Sequence, residues 1–396
     1  MTPKKLWLGF IAVMTISFAV LIYYGIEIYR EAPPIPDKVI TSDGTLLFTG
    51  QDIKDGQNVW QSMGGQEMGT IWGHGAYQAP DWSADWLHKE ALFILNNLAI
   101  KTTGKPYNEQ TDENKAALKI TLQREMRQNT YDPQSKTITI STDRAEAIAS
   151  NGKFYSGLFT NDPALLKLRQ AYSIPDNAIK SQERLKPLNA FFFWTAWACV
   201  TQRVGQDITY TNNWPSEELV GNHPTGALLL WTGFSVILLL AGIGMMVFYY
   251  ARKREESVNE IPIKFPLADY VQTPSQKATV KYFWIVLALF LVQVVAGIIT
   301  AHYTVEGQAF FGFPLSQWLP YSISRTWHIQ IAIFWIATSW LATGLYYAPA
   351  ISGVEPKFQK LGVNILFLAL LVIVVGSLAG QWMGIMQKLG YIQNFW

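Results

Sequence analysis

Two of the five histidines in this chain stand in apolar sequence. His328 lies in ISRTWHIQIAIFWIATSWLATGLYYAP, Ile323 to Pro349, about one turn inside a stretch long enough to cross a bilayer as a helix. A titratable group at membrane depth is costly and is kept where something uses it. A neutral imidazole in apolar, aromatic surroundings is a good axial ligand for haem iron; the alternative is a histidine hydrogen-bonded inside a helix pair. His302 ends another apolar run in TAHYTVEG, with Glu306 four residues later. On a helix that spacing puts imidazole and carboxylate on one face. At a membrane boundary such a pair can accept the phenolic protons of a quinol, or it can be an interfacial ion pair closing a helix end. His74, His88 and His223 lie in polar surroundings or at a span mouth and read as surface or hydrogen-bonded histidines.

Positioning these residues requires a membrane scaffold, and the composition supplies one. The chain is 49% hydrophobic and only 15% charged, which suits a membrane protein carrying a sizeable polar portion. A net charge of +2 suggests no nucleic acid partner. The single cysteine, Cys199, excludes an intrachain disulfide, a cysteine zinc cluster and an iron–sulfur cluster. It also excludes covalent haem c, which needs the two thiols of C-x-x-C-H.

Apolar runs at Leu6–Ile26, Gly226–Tyr250, Tyr282–Ala301, Arg325–Tyr347 and Leu361–Met386 give five expected spans. No A-x-A-like cleavage site follows the first, so it reads as an uncleaved anchor. Lys4 and Lys5 precede it, and residues 251–281 carry Arg252, Lys253, Arg254, Lys264, Lys277 and Lys281. Residues 351–360 carry Lys357 and Lys360, whereas 302–324 hold no Lys or Arg. The positive-inside rule then sets both the polar portion and the 302–324 loop on the outer side. The expected division is an anchor at 1–30, an extracytoplasmic domain at 31–223 and a four-span membrane domain at 224–396. Within the polar portion Asp85–Leu98 and Glu113–Arg127 have helical periodicity, and Thr137–Ser141 alternates like a strand. Phe191–Trp197 is too short for a span and predicts a buried or interface-lying helix. The expected fold class is mainly α: a polytopic transmembrane helical bundle with an outer domain.

SRTWHIQ, TAHYTVEGQAFFG and WTAWACVTQRVGQDITYTNNWPSEELVGN together resemble quinol-dependent nitric oxide reductase, of the haem–copper oxidase superfamily. The resemblance implies a cytochrome c-like outer domain without haem c. Gly56–Trp82 is similar to the haem-attachment region of cytochrome-dependent relatives, but Met63 to Met68 stands where the cysteine motif would be. A membrane quinol is therefore the expected donor. The resemblance further implies His328 as an axial ligand of haem b, and His302, Glu306 and Phe310 for a quinol pocket. Tyr77, in GAYQAPDW, looks like the tyrosine that reaches a calcium ion in the family.

Only the N-terminal half of the family is matched, up to Tyr391–Trp396 (YIQNFW). No second histidine sits at haem depth in another span, and no histidine–glutamate cluster could hold a second metal. Haem b3, its histidine, the non-haem iron and the catalytic glutamates are thus expected in a C-terminal half or complementary chain. The expected role is the electron-input half of an enzyme reducing NO to N2O in the inner membrane, inactive alone. An oxygen-reducing haem–copper oxidase relative, or a non-enzymatic membrane receptor or transporter component, are the alternatives.

Overall fold

Hydrophobic periodicity separates two kinds of helix here, and the computed structural model, which describes residues 3–254 and 271–388, contains both. In chain order the elements are α1 (Pro3–Arg30), β1 (Lys38–Thr41), β2 (Leu46–Thr49), α2 (Gly50–Ser62), α3 (Gly65–Met68), β3 (Thr70–Ile71), β4 (His74–Gly75), α4 (Trp82–Thr103), α5 (Asp112–Arg127), β5 (Tyr131–Asp132), β6 (Thr137–Ile140), α6 (Thr142–Phe159), α7 (Leu166–Ala171), α8 (Leu185–Val200), α9 (Gly226–Arg254), α10 (Pro274–Val305), α11 (Tyr321–Ser352) and α12 (Gln359–Ile385). The helices and strand expected in the polar portion are present as α4, α5 and β6. Lys264 and the terminal YIQNFW lie outside the described residues.

Contacts divide the chain into two compact units. Unit 1 is Met1–Ile53, Ser83–Ala149 and Phe192–Pro224; unit 2 is Lys54–Trp82, Ser150–Phe191 and Thr225–Trp396. The division at 30 and 223 follows composition, whereas the units follow contacts, and the two do not coincide.

Unit 1 holds a four-stranded sheet in the order β2-β1-β6-β5. β1 runs parallel to β6, Val39 opposite Ile138, and antiparallel to β2, Val39 opposite Phe48. Alternation sends Val39, Ile138 and Ile140 into the core. Helix α4 presents Leu87, Ala91, Ile94 and Leu95 to the same interior, a helical stripe, and α5 adds Leu118, Leu122 and Met126. Thr111 caps α5 by accepting from the Asn114 amide.

Within this core lies a buried ion pair. Arg144 Nε donates to Glu90 at 2.6 Å, and Trp86 Nε1 donates to the other carboxylate oxygen at 3.1 Å. The guanidinium carbon lies 5.7 Å from the Phe193 ring centroid. Burial pushes the Glu90 carboxyl up from its ordinary value, and Arg144 opposes that shift.

Unit 2 contains α9 and the three-helix group α10, α11 and α12. Tyr282 packs with Ala342 and Val363, and Leu289 packs with Ile331 and Val374. As α10 numbers rise, their α11 partners fall and those on α12 rise, so α11 runs antiparallel to both α10 and α12, which run parallel to each other. Indole and phenol donors reach across the apolar contacts: Tyr282 Oη to the Val363 carbonyl at 2.7 Å, and Trp327 Nε1 to the Leu378 carbonyl at 3.3 Å. Such bonds suit a medium with no water to compete. Thr273 and Gln276 form a capping box at the start of α10, and Gly353, at φ 67°, ends α11 in the left-handed conformation glycine tolerates.

Among the described residues five helices, α1, α9, α10, α11 and α12, are long and apolar enough to cross a membrane. The apolar windows of α1 and α9 bury nothing, so each is hydrophobic all round without protein cover. Lipid is the solvent such helices require, and the chain is a multi-pass membrane protein.

The Glu90–Arg144 pair gives a stability prediction. Glu90→Ala strands a buried guanidinium and should destabilise unit 1 by about 3–5 kcal/mol. The Glu90→Met/Arg144→Met double substitution should be far milder. Thermal unfolding followed by tryptophan fluorescence measures both, and equal losses would mean that charge pairing is not what the site depends on.

Candidate functional site

Helix α11 begins at Tyr321, so His328 lies about two turns inside it rather than one. Its Nδ1 is 2.9 Å from the backbone carbonyl of Gln293 on α10. A carbonyl only accepts, so Nδ1 carries the proton and Nε2 keeps its lone pair. Metal-bound histidines commonly take this arrangement, one nitrogen tied to a carbonyl and the other free to ligate. The Gln293 side chain is fixed as well: its Oε1 accepts from Trp335 Nε1 at 2.7 Å, and Trp335 stands edge-on to Phe290. Gly297, one turn beyond Gln293, faces the imidazole.

A second group occupies the end of α10. His302 Nδ1 lies 3.1 Å from Glu306 Oε2, the four-residue spacing seen in the sequence. Glu306 is the C-cap of α10, its amide donating to the His302 carbonyl at 2.9 Å. The chain then turns through Gly307, at φ 89°, and brings Phe310 back onto the imidazole. The two rings are parallel within 6° at 4.0 Å between centroids, and Phe311 meets His302 edge-on. His302, Glu306 and Phe310 thus form one cluster, with imidazole and carboxylate both partly exposed.

The two groups occupy the same end of the α10–α11 pair. Thr300 Oγ1 donates to Ser324 Oγ at 3.0 Å between them. Antiparallel packing sets His328 level with residue 296, six residues from His302, or roughly 9 Å along the axis. Tyr303, buried beside His302, donates from its hydroxyl to the Leu319 carbonyl at 3.0 Å and anchors the connecting loop. Loop residues Gln308, Ala309, Gly312 and Phe313 line an open cleft of about 750 Å³, whose other walls include Arg169, Asp176 and Lys180.

Tyr77 follows the β3–β4 hairpin; it is 81% exposed and its hydroxyl donates to the Gly73 carbonyl at 3.3 Å. Glu67 of the adjoining α3 pairs with Arg325 of α11. Among the described residues no three His, Cys, Asp or Glu side chains converge as a metal site. His74 is exposed against the Trp72 carbonyl, His88 pairs with Glu217 at 2.8 Å, and His223 is exposed, as expected of surface histidines.

The linear sequence does not single out Gln293 or Gly297. An amide in the apolar run Tyr282–Ala301 is a signal that could have found the first. Gly297 is one of many glycines in the spans, and only the packed helices distinguish it.

Residues 36–216 match the family model for the cytochrome c-like domain of NorB nitric oxide reductase. Residues 277–396 match that of Cytochrome C and Quinol oxidase polypeptide I. No curated protein matches the chain.

The bond to Gln293 predicts a single tautomer. In haem-free protein labelled with ¹⁵N-histidine, His328 should show a protonated Nδ1 and a bare Nε2 at neutral pH. The opposite tautomer would break the geometry described.

Proposed function

The chain is a relative of NorB-type nitric oxide reductase within the haem–copper oxidase superfamily, and from this we propose that it is the electron-input part of a respiratory nitric oxide reductase supplied by membrane quinol. The observation that carries the proposal is the pair of histidine groups at one end of α10 and α11: one histidine with a free nitrogen at membrane depth, the other joined to a carboxylate at the boundary.

The residues present fit a haem. His328 Nε2 has its lone pair available, the ring is pinned by the Gln293 carbonyl, and the α11 residues Trp327 and Ile331 near it in sequence belong to an apolar cluster. We assign His328 as one axial ligand of haem b; bound there, the haem would accept electrons one at a time and pass them on. We assign the second axial position to none of the described residues.

Quinol oxidation releases two protons and two electrons, and the His302 cluster can handle the protons. With Glu306 ionised, His302 donates from Nδ1 to it, leaving Nε2 to accept a phenolic proton. The neighbouring carboxylate then stabilises the imidazolium. Glu306 can accept the other proton, and Phe310 covers one imidazole face to give the quinol ring an apolar wall. The electrons would serve 2 NO + 2 e⁻ + 2 H⁺ → N2O + H2O, and we assign no described residue of this chain to that reduction. Haem b3, non-haem iron and calcium belong to the family expectation; for calcium we retain Tyr77, with its exposed ring, as the candidate residue.

We place the chain in the inner membrane with the cytochrome c-like domain outside, on the strength of the lysine and arginine distribution. An oxygen-reducing relative would share the match over 277–396, but the match over 36–216 is to a nitric oxide reductase domain and favours the first reading.

Two measurements test the proposal. His328→Ala should abolish the b-type band of a reduced-minus-oxidised spectrum while the protein stays folded; a persistent band would remove His328 from haem ligation. In the assembled enzyme Glu306→Ala should slow quinol oxidation by about 100-fold, the scale of one lost acid–base group, yet spare reduction by an artificial donor. Equal loss with both donors would make Glu306 structural.

A further inference from the structure

In an α-helix each Cα–Cβ bond tilts toward the N-terminus, so a side chain lies over the turn before it. The side chain at 297 would therefore shield the carbonyl of residue 293, which accepts the Gly297 amide in the α-helical repeat. Gly297 has none, and the second lone pair of that carbonyl stays open to another donor. His328 Nδ1 uses it at 2.9 Å. A Cβ built at 297 would stand 2.7 Å from His328 Cε1 and 2.8 Å from Nδ1, closer than real Cβ atoms come, but 3.6 Å from Nε2. Gly344 in α11 and Gly376 and Gly380 in α12 have open space where a Cβ would go. The tight glycine of this helix group is the one facing the imidazole.

We infer that Gly297 is a positioning residue for His328: by leaving the Gln293 carbonyl uncovered, it sets the tautomer and tilt with which Nε2 is presented. The inference rests on His328 being a haem ligand. The Gln293 carbonyl belongs to the backbone of α10, so it has little freedom to follow a displaced ring. A methyl group at 297 must push the imidazole off its acceptor. A ligand imidazole without its N–H···O=C bond is a weaker and less oriented donor to iron, and loss of such a partner typically costs about 10–100-fold in affinity.

The test uses the full chain, reading haem b content per polypeptide, the α-band of the reduced-minus-oxidised spectrum and the haem midpoint potential. Gly297→Ala should retain haem about tenfold more weakly and shift both band and potential. Gly344→Ala, where the methyl group meets nothing, should match the unsubstituted protein. Alanine favours the helix over glycine, so a loss in Gly297→Ala reports the clash and not helix propensity. Unchanged haem content, band and potential in Gly297→Ala would overturn the inference. Should Gly297→Ala fail to accumulate, Gly297→Ala/His328→Ala removes the ring that is struck: recovery of folded protein supports the inference, and continued failure overturns it. His328→Ala separates the two levels. If it keeps the b-type band, haem ligation itself fails and takes the inference with it. If it loses the band while Gly297→Ala behaves as the unsubstituted protein, only the positioning role falls.

Discussion

The hydrogen bond from His328 to the Gln293 carbonyl is the interaction on which the candidate site depends. An imidazole at membrane depth has two nitrogens, and leaving both without partners in an apolar medium is expensive. Tying Nδ1 to a backbone oxygen of the neighbouring helix removes part of that cost and fixes the tautomer. It also demands close approach of α10 and α11 at that level. The Thr300–Ser324 bond, the Trp335–Gln293 bond and the missing side chain at 297 all serve that approach.

The same close pairing brings the second group into place. Because α10 and α11 are antiparallel and joined by a loop anchored through Tyr303, the end of one span lies beside the start of the next. His302 and Glu306 close α10, and the turn at Gly307 folds Phe310 onto the imidazole. The His302–Glu306 pair and His328 therefore sit toward one end of the α10–α11 pair, separated along the axis by roughly two helical turns.

Unit 1 solves a different problem with opposite chemistry. Its core admits an ion pair, Glu90 with Arg144, flanked by an indole donor and an aromatic face. Among the described residues, the apolar contacts of α10, α11 and α12 hold no comparable pair; they use amides, hydroxyls, indoles and backbone carbonyls.

Much of this was legible in the chain alone. Spans follow from run length, the His302–Glu306 contact from a four-residue spacing, and α4, α5 and β6 from periodicity, because each is a local property of consecutive residues. The lack of a C-x-x-C-H motif follows from counting one cysteine. What the tertiary structure decided is non-local. Phe310 joins the His302 cluster only because a turn reverses the chain, and the compact units are assembled from segments far apart in sequence. The partner of His328 is a backbone carbonyl 35 residues away, reached past a glycine. A backbone carbonyl has no letter in the sequence, and a missing side chain acquires meaning only when another helix fills its space.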